Sequence, residues 1–381
     1  MKSFIKRKNH LLQKYLKKLR FEKRYWLYNR SVEKLIIKYA LPPLTEIEKR
    51  DIDNYWGKYG VKFSNYNYHR LFYGITKKKD PRFIPFPFAA LVLYPFYNDS
   101  TKIPAYADKN MFYKLLPNMP FPKLIGQRIN GRFFDSEGKY YGEIATNEFL
   151  EQLFRTIVRE NNEEIIIKEA SDTSRGLGVK KFIIKTPQML KEVLKSFSSD
   201  NFVIQFAIQQ HQFFDQFNKD SVNIIRITTW RKEDKVHIFS PCIRFGIRGH
   251  ATDVAFVNGV EVTNGIGIDI SSGIIFDTGI DLQGNKFSVD VKNRQVPCWE
   301  KIVNLVCRNH LTMHYFDIIA WDITVDINSN IICIEYNIKC PGIRLYQLAH
   351  GPLAGEHTDE FLEFLLNTDL QKKLLPWQIR K

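Results

Sequence analysis

The stretch IIAWDITVDINSNIICIEYN, residues 318–337, carries two apolar runs around a short polar segment. Branched and aromatic residues that alternate with polar ones, on both sides of Asn and Ser, predict a β-hairpin. A two-residue loop at Asn328-Ser329 would place Asp322 opposite Glu335. The other pairs of this register are Thr324 with Cys333 and Asp326 with Ile331.

One face of this hairpin is predicted to be polar. Asn337 lies two residues beyond Glu335 and therefore shares a face with Asp322. Two carboxylates and an amide oxygen suit magnesium, which keeps several waters and takes few protein ligands. The other face is predicted to pack into a core: Trp321, Ile323, Val325, Ile332, Ile334 and Tyr336. A solvent-facing strand with ordinary acids gives the same pattern, so the hairpin alone leaves both interpretations open.

Upstream of the hairpin, short apolar runs alternate with amphipathic segments, which indicates a mixed α+β chain. Strands are predicted at 165–167, 182–184, 202–206, 223–230 and 236–245, with a hairpin over 123–142. Helices are predicted at 147–160, 187–197 and 299–310. Residues 1–78 are predicted to be helical and to end at the breaker run 77–81.

Two of these upstream segments have the composition of a ligand-binding loop and hinge. Residues 168–179 read KEASDTSRGLGV between two isoleucine-rich strands, so backbone N–H groups and Lys168 could meet phosphate oxygens. Residues 202–211 form an apolar strand that runs into Gln and His, which could meet an adenine edge. An ordinary hairpin loop and a plain strand exit fit equally well, and neither a Walker A nor a GxGxxG motif occurs here.

In their order along the chain, these pieces resemble the ATP-grasp superfamily, in particular its sugar-transfer-associated branch. The resemblance covers roughly residues 105–355 and is carried by short motifs: Asp108-Lys109-Asn110, Lys168 with its loop, the Gln205 hinge, Asn223-Ile-Ile-Arg226, Arg244, Trp321-Asp322 and Glu335-Tyr-Asn337. One departure is Asp253-Val254, where family members often carry Asp-Asn. The resemblance implies an α+β fold of two lobes that clasp a nucleotide, with an N-terminal helical extension.

The breaker run at 77–81 and the resemblance together predict how the chain is divided. Residues 1–80 would be a basic helical region and 81–160 the N-terminal part of the ATP-grasp unit. Residues 161–210 would form the small lobe with the glycine-rich loop, and 211–381 the large lobe with the metal site.

Roles follow from the resemblance for matching positions only, with ATP and Mg²⁺ as cofactors. Lys109, Lys168 and the loop with Ser174, Gly176 and Gly178 would bind phosphates. Gln205, Ala207, Ile208, Gln210 and His211 would hold adenine and ribose. Arg226 and Arg244 would face the transferred phosphoryl group or the substrate carboxylate, for which a guanidinium fork is well matched. Lys168 would help to neutralise the transferred group. Asp322, Glu335 and Asn337 would hold magnesium.

The activity implied is an ADP-producing carboxylate–amine ligase that works through an acyl phosphate. The branch name suggests an amino acid and a sugar, sugar acid or nucleotide sugar as substrates, in capsule or O-antigen polysaccharide synthesis. An alternative is a kinase that phosphorylates a hydroxyl, and a third is a non-catalytic ATP binder. No HExxH or GxSxG motif points to a zinc site or a serine nucleophile.

The net charge of +15 is concentrated in residues 1–40, which hold thirteen Lys and Arg against Glu22 and Glu33. Apolar residues recur there at helical spacing, so the segment either packs on the protein or contacts an anionic membrane surface. No nucleic-acid motif is evident. Five unpaired cysteines, together with the lack of a signal-like or spanning apolar run, predict a cytoplasmic protein. The basic segment leaves peripheral contact at the inner membrane face open as an alternative.

Overall fold

The structure is a computed structural model that describes residues 22–171, 178–250, 252–258, 260–367 and 369. The described residues separate into two compact units. One holds residues up to 98, 283–285 and those from 342 onward; the other holds 99–282 and 286–341. The predicted segment boundaries at 80, 160 and 210 do not coincide with this division, and as boundaries of separate parts they stay predictions.

The first unit is helical in its described N-terminal part, as predicted. Residues 22–38 (α1), Glu46–Gly57 (α2) and Asn67–Thr76 (α3) are helices, followed by a helical stretch over Phe86–Phe88, Ala89–Leu93 and Tyr94–Tyr97. Helix α2 begins where Thr45 and Glu48 cap each other's backbone N–H groups. The C-terminal helices of this unit are Arg344–His350, Gly355–His357, Thr358–Leu362 and Glu363–Leu366. Residues 1–21 of the predicted helical region lie outside the described residues.

A six-stranded antiparallel sheet forms one half of the second unit. Its strands are Leu124–Ile129 (β1), Arg132–Asp135 (β2), Tyr140–Gly142 (β3), Glu164–Glu169 (β4), Val179–Ile183 (β5) and Phe202–Phe206 (β6), in the order β3-β2-β1-β6-β4-β5. Helices Asn147–Arg159 (α4) and Pro187–Lys195 (α5) share a core with this sheet through Phe149, Leu153 and Leu190. The predicted strands and helices of this region are confirmed within a few residues.

A seven-stranded antiparallel sheet forms the other half. The order is β13-β12-β11-β8-β7-β14-β15. The strands are Ile224–Lys232 (β7), Lys235–Phe245 (β8), Asn264–Ile268 (β11), Ile275–Asp281 (β12), Lys286–Ser288 (β13), Ile318–Val325 (β14) and Ile331–Asn337 (β15). A separate pair is Ala255–Val257 (β9) with Val260–Val262 (β10). Helix Trp299–Thr312 (α6) covers the sheet and shares its apolar core. The short helices of the unit are Ile103–Tyr106, Lys109–Met111, Phe112–Leu115 and Gln212–Asp215.

The β14–β15 hairpin has the predicted strands but not the whole predicted register. Asp322 does lie opposite Glu335, yet the next residues pair as Ile323 with Cys333, Thr324 with Ile332 and Val325 with Ile331. The predicted pairs Thr324–Cys333 and Asp326–Ile331 are therefore wrong. The turn spans residues 326–330 because Asp326 Oδ1 accepts from the N–H groups of Asn328 (2.9 Å) and Asn330 (2.8 Å).

A β-bulge at Ile334 reconciles the longer turn with the Asp322–Glu335 pair. The extra residue reverses which side chains of residues 331–333 face the core, while residues 335–337 keep the predicted register. Trp321, Ile323, Val325 and Tyr336 are core residues as predicted, but Cys333 joins them. Ile334 instead lies against the cavity described below, so its predicted core position is wrong.

Candidate functional site

The second unit contains a cavity of about 440 Å³ that is lined from both of its sheets. One part of the lining is apolar and includes the following residues: Ile166, Val179, Phe206, Ala207, Ile208, Ile327 and Ile334. The charged residues of the lining include the following: Lys109, Lys168, Arg244, Asp253, Asp322 and Glu335. A flat apolar group and a polyanion could therefore occupy the same cavity.

Two lysines approach the charged part from different elements. Lys168 lies on β4 between β5 and β6. Lys109 begins the short helix Lys109–Met111, and its N–H donates to the Ala170 carbonyl (2.9 Å) just beyond β4. Its Nζ is 3.9 Å from Glu335 Oε2. Burial lowers the pKa of Lys168 to about 8; Glu335 opposes this shift and Lys109 adds to it.

Arg226 and Asp322 face each other on β7 and β14 and form a buried ion pair. The guanidinium holds both carboxylate oxygens: Nε donates to Oδ1, and Nη2 donates to Oδ2 at 2.8 Å. The two side chains are only 6% and 2% exposed. Arg226 thus engages Asp322 and is not among the residues that line the cavity, whereas Asp322 is.

Arg244 near the end of β8 does line the cavity, and Asp253 holds it there. Its Nε donates to Asp253, while its Nη2 lies 3.8 Å from Asp322 Oδ2. The segment with Asp253 passes close to Gly246, where an added Cβ would lie 2.3 Å from the Thr252 carbonyl oxygen. Thr263 anchors the segment by donating to the Asp253 carbonyl (2.7 Å). Glycine at position 246 thus permits the approach that places Asp253 beside Arg244.

The three predicted metal ligands lie together at the hairpin. Asp322 is paired with Glu335 across β14 and β15, and Asn337 Nδ2 donates to Asp322 Oδ2 at 3.2 Å. Among the described residues, no group of three His, Cys, Asp or Glu side chains could hold a metal. The set here consists of two carboxylates and one amide, which fits a magnesium ion that takes few protein ligands and completes its shell with water and phosphate oxygens.

The expected adenine hinge lies partly in the cavity. Ala207 and Ile208 line it. The Ala207 N–H already donates to the Glu164 carbonyl (2.9 Å). An adenine base would therefore have to form hydrogen bonds with other backbone groups of the hinge. Gln205 is buried outside the lining and donates from Nε2 to the Tyr113 hydroxyl. Its Oε1 has no partner within the described part of the chain.

The two polar residues expected near the ribose already form hydrogen bonds with other residues of the protein. Gln210 lines the cavity, but its amide donates to Asp215 Oδ1 (2.9 Å) and the Asn218 carbonyl (2.8 Å) and accepts from the Asn223 N–H (2.9 Å). His211 lies outside the lining and caps a short helix, because its Nδ1 accepts from the Phe213 N–H at 3.1 Å.

The glycine-rich loop is described only at its ends. Ser174 and Gly176 lie outside the described residues. Gly178 has a φ of +78°, a conformation that favours glycine, and its carbonyl accepts from the Glu169 N–H at 3.4 Å. The next residue, Val179, lines the cavity.

Several lining residues were missed at the sequence level. Ile166 lies two residues before Lys168 on β4, and Val179 is the partner of Lys168 on β5. The period of two along a strand and the pairing across it would have found both once Lys168 was placed. Asp253 had only a weak signal, its place in the glycine-bearing connection after β8.

A family model described as sugar-transfer associated ATP-grasp matches residues 90–360. Among curated proteins, none matches the sequence significantly. Remote similarity extends to solved structures.

D-alanyl-alanine synthetase A from Vibrio cholerae is 13% identical, with a TM-score of 0.42, over 70% of this chain and 65% of that one. Biotin carboxylase from Campylobacter jejuni is 11% identical, with a TM-score of 0.41, over 71% and 48%. D-alanine-D-alanine ligase from Coxiella burnetii is 13% identical, with a TM-score of 0.38, over 71% and 60%. The chain thus spans less than two thirds of each of these proteins.

Proposed function

The chain belongs to the sugar-transfer associated ATP-grasp family, and on that premise we propose that it is an ADP-producing ligase that joins a carboxylate to an amine. The family, the α+β ATP-grasp fold class and the assignment as an ATP-grasp enzyme, all predicted from the sequence, are confirmed. The substrates and the acyl-phosphate route are the proposal.

The observation that carries the proposal is the pairing of apolar and charged walls in one cavity. Phe206, Ala207 and Ile208 suit a flat base. Lys109, Lys168 and Arg244 suit the triphosphate, because ammonium and guanidinium groups in a partly buried site interact strongly with phosphate oxygens. Arg226 would contribute indirectly, because its hydrogen bonds to Asp322 fix the position of that carboxylate.

Asp322, Glu335 and Asn337 would hold magnesium, which when bound neutralises charge on the phosphates of ATP. The Arg226 guanidinium already balances one carboxylate of this set, so the remaining anionic charge is that of Glu335. A set with so little net charge favours a metal ion that arrives together with a polyanion.

The proposed reaction has two steps. A carboxylate oxygen of the substrate bonds to the γ-phosphorus of ATP as the bond to the β,γ-bridging oxygen breaks, which gives an acyl phosphate and ADP. An amine nitrogen then attacks the acyl carbon, phosphate leaves and the amine proton passes to phosphate or solvent. Lys168 and Arg244 would neutralise the transferred group and hold it in line, so the protein's contribution is mainly electrostatic.

The substrate class rests on the family description, which associates this branch with sugar transfer. We place an amino acid on one side of the new amide and a sugar acid or amino sugar on the other. The setting would be the assembly of capsule or O-antigen polysaccharide.

The test is a screen for ADP release with pairs of amino acids and sugar acids or nucleotide sugars, followed by mass spectrometry of the product. The ligase is supported if ADP release needs both substrates and the product has the summed mass of the two substrates minus one water. A product that has gained a phosphoryl group on a hydroxyl identifies a kinase and refutes it. Lys168→Met should abolish turnover, and Lys185→Met, an exposed lysine of the same unit, should not.

A further inference from the structure

The outward face of helix α1 combines exposed apolar and basic side chains. Trp26, Leu27 and Ile37 are 56%, 49% and 78% exposed. At 3.6 residues per turn, three apolar and four basic side chains fall within an arc of about 120°. We call these seven exposed residues the α1 face: Lys23, Trp26, Leu27, Arg30, Lys34, Ile37 and Lys38. The acids Glu22 and Glu33 lie outside this arc.

The fold of the first unit does not require this arrangement, because the helix is held by its opposite side. Asn29 and Val32 are 3% and 0% exposed, and Leu35 and Ile36 are buried as well. The Tyr28 ring packs edge-on against Phe86 with centroids 5.0 Å apart. The packing of the unit thus does not depend on the side chains of the α1 face.

We propose that the α1 face docks on the headgroup region of an anionic phospholipid bilayer. Four cations match the negative surface potential of such a bilayer, and Trp26, Leu27 and Ile37 can enter the boundary between headgroups and acyl chains. The Arg30 guanidinium lies 5.6 Å from the Trp26 ring centroid, so charge and aromatic surface are adjacent. Tryptophan is favoured at this depth because one end of its ring is apolar and the other is polar.

The sequence before this helix has the same character. Residues 1–21 contain eight Lys and Arg and no acid. Within the described parts of the chain, none of the helices has the length and apolar character of a membrane span.

A bilayer fits this face better than a nucleic acid or another polyanion. Phosphate backbones would use the four cations but would leave Leu27 and Ile37 in water. A bilayer interface uses both kinds of side chain at once. None of the seven residues lines the cavity, so this inference stands or falls independently of the proposed ligase activity.

Sedimentation of the full chain with vesicles tests the proposal. We expect binding to phosphatidylglycerol–phosphatidylcholine vesicles and little binding to phosphatidylcholine alone. Each basic residue near an anionic surface strengthens partitioning about fivefold, so Arg30→Gln with Lys34→Gln should weaken it about 25-fold. The matched control is Lys185→Gln with Lys235→Gln, which removes two exposed lysines from the other unit and should leave binding unchanged.

Tryptophan fluorescence locates the contact. Trp56, Trp230, Trp299 and Trp321 are buried, so among the described tryptophans only Trp26 can meet lipid. Vesicles with brominated acyl chains should quench part of the emission, and Trp26→Phe should remove that quenching while the protein still sediments.

Three results would each overturn the proposal. They are equal binding to neutral vesicles, binding without quenching of Trp26, and tighter binding to duplex DNA that is lost in the Arg30→Gln, Lys34→Gln variant.

Discussion

The ion pair between Arg226 and Asp322 should stabilise the second unit strongly, and its loss can be separated from the loss of activity. Both side chains are nearly inaccessible, at 6% and 2% exposed. Replacing one partner takes the two-point ion-pair contact away from the other buried charge, and breaking a buried pair in this way typically costs about 3–5 kcal/mol. Arg226→Met and Asp322→Leu should each lower the free energy of unfolding by that amount, a large share of a typical total of about 5–15 kcal/mol.

The double variant Arg226→Met, Asp322→Leu should recover most of that loss, because two apolar side chains replace the pair without a buried charge. Its unfolding free energy should lie within about 2 kcal/mol of wild type. ADP release should stay absent, since the carboxylate expected to hold magnesium is gone. Urea unfolding and an ADP-release assay on the same preparations measure the two effects separately. Asp322→Asn is a milder variant if Asp322→Leu does not fold.

The matched control lies at one end of the same strand pair. Arg231 on β7 pairs with Asp317, just before β14, at 2.7 Å, but these side chains are 12% and 39% exposed. Asp317→Asn should cost less than about 1 kcal/mol. The reasoning is refuted if Arg226→Met costs no more than this control, or if the double variant is as unstable as the single ones. Full ADP release in the double variant would exclude Asp322 as a metal ligand.

Three further predictions concern the pH dependence and the site. The pKa of Lys168 is lowered to about 8, so this ammonium group loses its proton above pH 8 in the free protein. ATP binding must then return the proton to Lys168, so ATP affinity should fall up to about tenfold per pH unit above pH 8. Calorimetry should detect proton uptake on binding. Asp253→Asn should lower the rate of ADP release about ten- to a hundredfold, because it weakens a charge-assisted hydrogen bond to Arg244. The urea midpoint should change little. A clear fall in the urea midpoint together with the rate would mean that Asp253 has a structural role. Burial lowers the pKa of His310 to about 3, so the unfolded chain binds the extra proton below pH 6.5, and this residue alone should contribute a loss of stability of about 1.4 kcal/mol per pH unit from there toward pH 3. His310→Gln should remove that contribution in urea titrations.

Much of the second unit was predictable because its signals are local. The alternation of side chains gave the two strands of the β14–β15 hairpin, and the amphipathic pattern gave helices α4 and α5 within two residues. The pair Asp322–Glu335 was also correct, although for the wrong turn. A longer turn and a bulge at Ile334 cancelled each other from that pair to the open end of the hairpin, where Trp321–Tyr336 and Ala320–Asn337 fall in the same register.

What the sequence could not give depends on contacts between residues far apart in the chain. Arg226 had the chemistry of a phosphoryl-binding residue, but its partner Asp322 lies 96 positions away, and only the β7–β14 pairing brings the two together. Gln205 had the chemistry of an adenine contact, but strand packing turns its amide toward Tyr113.

The amino-acid sequence by itself determined the family, the α+β class and the types of residue at the site, because strand periodicity, breakers and motif order are local properties of the chain. The tertiary structure alone decided which of those residues share a cavity. Whether a charged side chain faces that cavity or a buried counterion is set by sheet register and by the approach of distant segments, such as Asp253 beside Arg244 over Gly246. Those distances are fixed only when the two sheets pack.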